Sequence, residues 1–342
     1  MNGGERQRPV LAVVTSTGEA LRFFDGLTYE PLGDLPVLAQ PHEIAVDVAA
    51  GVLYVSHTYR SGVYTDPGEK AHEISVVDPH ERKVVEVVSL APEVAPHGLA
   101  LDQDRGLLYA TVEAGPAGDG AIAVIDTAAR KQLDRIEVGA RGPHWFAITP
   151  DGTKGYATNK ADPFISVIDL TERTLTERIP APYGTEEVAV SPDGHRAYAA
   201  GMALHRDGAD ASAPPTLLVI DTAADRVVAH APLAAPGCPV HVAADGRVLI
   251  GLAPTGPGKE PEDGQLTVLS PDGLAPLVNA PVGQVPITIR TTPDGTRAFV
   301  ANLRSGTVHV VDLADGSVGT VLDIDPGDPD TTQGAHGIAY LP

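Results

Sequence analysis

The chain has 342 residues, with 45 acidic side chains against 24 basic ones and a formal net charge of -21. That balance repels nucleic acid and anionic membrane surfaces, leaving a small molecule as the expected partner. The single cysteine, Cys238, excludes an internal disulfide framework and fits a reducing, cytoplasmic compartment.

From the N-terminus, residues 1–8 carry no hydrophobic signal core and read as a flexible tail, and no apolar run approaches the ~20 residues of a spanning helix. The remainder, residues 9–342, reads as one domain. It holds 36 Gly and 31 Pro, many Val and Ile, and no long stretch of helical periodicity, which predicts an all-β fold. Aromatic residues make up 4% of the chain, so the core must rest on Val, Leu, Ile and Ala.

A β-branched strand, usually closed by Asp, returns along the chain as LRFFD (21–25), ISVVD (74–78), IAVID (122–126), ISVID (165–169), LLVID (217–221), LTVLS (266–270) and VHVVD (308–312). Ahead of each lies another strand, among them VLYVS, LLYAT, KGYAT and RAFVA, and behind each a further one, such as KVVEVVSL. Four short antiparallel strands per unit, at a spacing of about 40–50 residues, predict a seven-bladed β-propeller. One blade cannot bury both faces, so neighbours stack until the ring closes. Aligned on the Asp-Gly turns, the inner strands begin near 42, 97, 144, 186, 238, 287 and 336. The last blade is split, its C-terminal inner strand (HGIAYLP) pairing with N-terminal strands from residues 10 to about 37.

The residues at those seven starts are His42, His97, His144, Glu186, Cys238, Ile287 and His336. With 12 His in 342 residues, chance would place about 0.25 there. The four histidines come from consecutive blades and converge on one side of the channel mouth. Such a set suits one divalent transition metal, Fe or Cu favoured, with Mn, Ni or Zn also served by imidazole. The alternative is histidines that cap backbone groups or line a wet channel. Glu186 and Cys238 are the catalytic candidates. Glu186 reads as ligand, general base, orienting acceptor or solvated rim carboxylate, and Cys238 as soft ligand, thiolate or small buried hydrophobe. Glu187 is expected to face a neighbouring blade or solvent.

Long second-to-third connections in blades 1, 2, 4 and 5 rise on the histidine rim and suggest a pocket wall. Around them His57, His72, Arg141, Trp145, Asn159, Tyr183, His205, Asn302 and Arg304 are candidate substrate-binding residues. Arg60, Lys160 and Arg206 add basic character suited to a carboxylate or phosphate, and Tyr59 and Tyr64 an apolar wall. Trp145 can equally pack between blades. No phosphate-binding loop, dinucleotide fingerprint, GxSxG elbow or CxxC occurs.

The phrases PDGTKGYATN…ISVIDL and PDGTRAFVANLRSGTVHVVDL resemble the YVTN-type seven-bladed propellers, relatives of the lactonase-type propellers, over nearly the whole chain. The placement of the histidines is similar to that in the four-histidine iron oxygenases, though the long insertions of that group are missing, and to the metal site of the virginiamycin-type lyases. The expectation is a metal-dependent enzyme, oxidoreductase or oxygenase first, acting on a small organic molecule, an anionic one where the basic rim residues meet it. Lyase or lactonase-like hydrolase chemistry on the same site is the alternative, and a non-catalytic binding propeller the rival from another class.

Overall fold

The structure, a computed structural model, describes residues 8–61, 68–115, 118–160, 162–182, 184–201, 214–254, 262–271, 274–325 and 334–342. Its strands form seven four-stranded antiparallel sheets, six built from strands consecutive in sequence and one that joins the C-terminal strand to the first three. The inner strands are Pro41–Asp47 in blade 1, Val94–Asp102 in blade 2, Pro143–Ile148 in blade 3, Glu187–Val190 in blade 4, Gly237–Val242 in blade 5, Pro286–Thr291 in blade 6 and Ala335–Leu341 in blade 7. In blade 7 the C-terminal strand pairs with Val10–Thr15, which leads into Ala20–Asp25 and Pro31–Pro36. The two chain ends therefore close the ring within one sheet, which completes the seventh blade.

The recurring Asp is turn chemistry. Asp78 Oδ1 accepts the backbone N–H groups of His80 and Glu81, and Asp25, Asp169 and Asp221 do the same two and three residues on. Such Asx turns close the third-to-fourth hairpin. Four residues after each of these Asp the chain takes positive φ, at Tyr29, Arg82, Arg173 and Asp225.

The core lies between blades. Tyr54, Ile74 and Val76 of blade 1 pack on Leu108, Ala110, Val112, Ala121 and Ala123 of blade 2. The same arrangement recurs between blades 3 and 4, where Trp145, Tyr156, Ile165 and Val167 meet Val188, Ala197 and Ala199. Alanines on one face let the β-branched side chains of the next approach, as a low-aromatic chain requires.

Most inner strands are irregular at their start. Pairing with the second strand shifts register between Pro41 and Ile44, Pro96 and Leu99, Pro143 and Phe146, Gly237 and Val240, and Pro286 and Thr288. A bulge here breaks the two-residue alternation at the positions that open onto the channel mouth.

Candidate metal centre

Second-strand hydroxyls set the histidines in place. Thr111 Oγ1 accepts the N–H of Gly98 in its own blade and donates to the carbonyl of His144 in the next. Ser56 does the same between Glu43 N–H and His97 O, and Thr158 between Trp145 N–H and Glu186 O, each donated bond being 2.7–2.8 Å long. In blades 1–3 one hydroxyl thus fixes the bulged start of its own inner strand against the start of its neighbour's.

Close approach also needs glycine. A Cβ on Gly98 would lie 2.7 Å from His144 O and 2.8 Å from Trp145 Cα, and one on Gly337 would lie 2.5 Å from His42 O. The residue after the histidine accordingly alternates around the ring: Gly337, Glu43, Gly98, Trp145.

The result is a row of imidazoles. Ring centroids are 4.0 Å apart from His336 to His42, from His42 to His97 and from His97 to His144. His42 and His97 are fully buried, and His336 and Glu43 nearly so. Nδ1 of His144 lies 2.7 Å from the Glu186 carbonyl and 3.4 Å from Glu186 Oε2, while Nδ1 of His336 lies 3.1 Å from Glu43 Oε1. The acceptor at His144 Nδ1 keeps the proton there and turns its Nε2 lone pair outward, as in a metal-bound histidine. Both ring nitrogens of His97 and Oε2 of Glu43 are buried with no hydrogen-bond partner among the described residues. Burial first, then the neighbouring imidazoles and Lys160, holds His42 and His97 well below the usual histidine pKa, so both are neutral.

The potential ligand atoms fall into two groups, each lying within 4.8 Å: His42, His97 and His144, and His42, Glu43 and His336. Either can hold a metal ion, and His42 belongs to both. The arrangement differs from a single four-histidine square in admitting a carboxylate that was absent from the sequence-derived set.

Glu186 sits just ahead of the strand Glu187–Val190, and its contacts with His144 are those of an orienting acceptor. Cys238 is buried, forms no disulfide and is the second residue of blade 5's inner strand. Ile287 packs against the apolar cluster around Phe299. Of its two expected surroundings Glu187 takes the neighbouring blade: it is buried, accepts the Val240 N–H at 2.9 Å and lies 3.7 Å from Arg290 Nη1. Burial pushes its carboxyl well above the usual range, opposed by Arg290 and reinforced by Glu43.

The wall candidates divide. His57 and His72 lie in strands, Val52–Tyr59 and Lys70–Asp78, and not in a loop. His57 is fully buried, with Nδ1 at 3.2 Å from Ala39 O and Nε2 at 2.8 Å from Ser75 Oγ. It occupies the place that Asn159 and Asn302 hold in blades 3 and 6. Asn159 Nδ2 donates to Phe164 O and Ser166 Oγ, and Asn302 Nδ2 to Thr307 O in the next strand. These three side chains tie strands together. His72 Nε2 is 3.3 Å from Glu73 Oε1. Trp145 packs between blades 3 and 4 and carries the Arg290 guanidinium over its ring at 5.3 Å. Arg304 is exposed, and Arg141 is exposed with Nη2 at 3.8 Å from Asp162 Oδ1. Tyr64, Tyr183, His205 and Arg206, with most of the long second-to-third connections, lie outside the described residues.

A polar group does stand over blades 1–3. Glu113 accepts from Tyr59 Oη at 2.8 Å and pairs with Lys160 at 3.1 Å and Lys70 at 3.2 Å. Burial raises its pKa, but the two ammonium groups outweigh that and hold the carboxyl below its usual range.

The fold and this cluster define a seven-bladed propeller with a histidine-and-carboxylate group able to hold a metal in its channel. No protein-family model matches the sequence, and no curated protein matches it. Among solved structures the chain is similar to hydrazine synthase of Kuenenia stuttgartiensis, with a TM-score of 0.63 and 21% identity over 80% of this chain and 76% of that one. Identity at that level carries the propeller fold and nothing about the reaction.

Proposed function

We propose that this protein is a metal-dependent enzyme of the YVTN-type propeller group that acts on a small organic molecule at the histidine mouth of the channel. His42, His97 and His144 would hold one divalent transition metal, with Glu186 orienting His144 and the His336–Glu43 pair standing beside His42. The observation that carries this reading is His97: a fully buried imidazole with two unpartnered nitrogens, standing 4.0 Å from histidines on either side. Burying such a group without a partner costs about 1–3 kcal/mol, and a metal ion would recover it. A mainly imidazole donor set suits Fe or Cu and an oxidoreductase, and the metal would supply redox or Lewis-acid chemistry. The strongly acidic chain supports a small-molecule substrate over nucleic acid.

The grouping of His42, Glu43 and His336 favours a second reading, a lyase or hydrolase, because mixed histidine–carboxylate sets suit Zn or Mn as Lewis acids. Elemental analysis of untagged protein, beside a His97→Ala/His144→Ala double variant, tests both. Near-stoichiometric Fe or Cu lost in the variant supports the oxidoreductase, and Zn or Mn the second reading. Wild-type protein that stays metal-free after incubation with each ion rules out a metalloenzyme.

A further inference from the structure

The polar group around Glu113 is placed by the same strand register as the histidines. Val112 pairs with Pro96 and Ala114 with Val94, so Glu113 lies opposite Ala95, two residues ahead of His97. The Lys160 N–H donates to Gly142 O at 2.9 Å, which sets Lys160 opposite the residue two ahead of His144. In blade 1, His57 pairs with Pro41, and Tyr59 pairs with Lys70. Glu113, Lys160, Tyr59 and Lys70 thus form a layer on the mouth side of the imidazole row, roughly 7 Å from it along the strands.

In this layer one carboxylate holds two ammonium groups. Glu113 Oε1 accepts from Tyr59 Oη at 2.8 Å and from Lys160 Nζ at 3.1 Å, and its Oε2 lies 3.2 Å from Lys70 Nζ. Among the described residues neither lysine has a second acidic partner. Burial, then Glu113, raises the Tyr59 pKa, so its hydroxyl stays neutral. Two cations and one anion leave one unit of positive charge, whereas Arg60 alongside is matched by Glu73 at 2.6 Å. The ammonium groups are also the open members: Lys70 and Lys160 side chains are 42% and 31% exposed, against 9% for Glu113. Each ammonium has three N–H donors, of which Glu113 takes one. After burial and two neighbouring imidazoles, Lys160 is the next group to depress the pKa of His42 and of His97, so its charge reaches the row.

In a chain of net charge -21, two like charges drawn together at the mouth mark a place where an anion is wanted. We propose that Lys70 and Lys160 determine specificity at the histidine mouth, receiving the carboxylate of a short organic acid between their ammonium groups. Charge-assisted bonds from both would hold it, and the step of roughly 7 Å to the imidazoles lets a short chain reach them. Glu113 keeps the two ammonium groups together without neutralising both. What happens at the far end of the acid rests on the metal reading, and the carboxylate contact does not.

The test is calorimetric titration of the full chain, as purified and after treatment with a chelator, with pentanoate and with pentanamide. Pentanoate is expected to bind about tenfold tighter than the amide in both samples. Lys160→Met and Lys70→Met each narrow that preference, the double variant abolishes it, and Lys160→Arg keeps most of it. Lys131→Met, which removes a charge from the outer strand of blade 2, leaves it unchanged. A preference that disappears with the metal would place the carboxylate on the metal, overturning the assignment and leaving the metal reading intact. A lysine-dependent preference in protein that never holds metal would support the lysines and remove the metal reading. No binding of either probe, equal binding of both, a preference that survives the double variant, or one that Lys131→Met also weakens would each overturn the assignment. If the double variant does not fold, Lys70→Met alone decides it.

Discussion

Thr111 and His144 stand in different blades, yet the Thr111 hydroxyl donates to the His144 carbonyl at 2.8 Å while accepting the Gly98 N–H at 2.9 Å. Through this link the bulged starts of two inner strands hold a common register, and their imidazoles stand 4.0 Å apart. Thr111→Val keeps the shape and removes the link, leaving a buried N–H and a buried carbonyl short of a partner. A stability loss of about 2 kcal/mol is expected by urea denaturation, with weaker metal binding. Thr111→Ser restores both, and a silent valine variant would show that the link positions nothing.

Gly98→Ala probes the same contact sterically. The added Cβ meets backbone at 2.7 and 2.8 Å, which no side-chain rotation relieves. Overpacking of this kind costs about 1–3 kcal/mol, and metal content should fall because His97 and His144 are forced apart. Wild-type metal content in the alanine variant would contradict the close packing of blades 2 and 3.

Glu43→Gln tests the carboxylate beside His336. The amide keeps the volume but loses the charge that favours a proton on His336 Nδ1, 3.1 Å away. Removing such an outer partner weakens metal binding by about 10- to 100-fold, which competition with a chromophoric chelator measures. Unchanged affinity would remove Glu43 from the site.

His57 predicts an acid sensitivity. Burial, against the bonds to Ala39, lowers its pKa from 6.5 to about 4. Between those values the unfolded chain binds a proton that the folded one refuses, so stability falls as pH drops through this window and levels off below it. The contribution is roughly 3 kcal/mol. His57→Asn, the residue found in the same place in blades 3 and 6, should fold at pH 7.5 and lose less stability than wild type between pH 6.5 and pH 4. Parallel losses in urea melts would contradict the assignment.

The sevenfold repeat, the split blade and the four histidines were legible because each rests on local pattern: Asp-closed strands, Asp-Gly turns and a recurring Pro-His. Glu43 was not, since strict alternation turns the residue after each inner-strand start away from the channel, as it does Glu187, which meets the Val240 N–H of the neighbouring blade. At Glu43 the bulge defeats that rule. The prolines ahead of His42, His97 and His144 signal such irregular starts, and the alternation of Gly337, Glu43, Gly98 and Trp145 was there to be read. His57 and the asparagines were read as substrate contacts because chemistry-bearing residues near a rim look alike until their partners are known. The Ser or Thr before each of His57 and Asn159, and Thr111 in blade 2, proved the more informative letter.

The most direct measurement is X-ray diffraction from crystals of untagged protein, at wavelengths on either side of the absorption edge of the metal found by elemental analysis. A single anomalous peak among His42, His97, His144 and His336, within about 2.0–2.2 Å of imidazole nitrogens, is the result expected. No peak there after the crystals are soaked in Fe, Cu, Mn, Ni and Zn salts, with the four rings bonded to protein or water alone, would contradict the account.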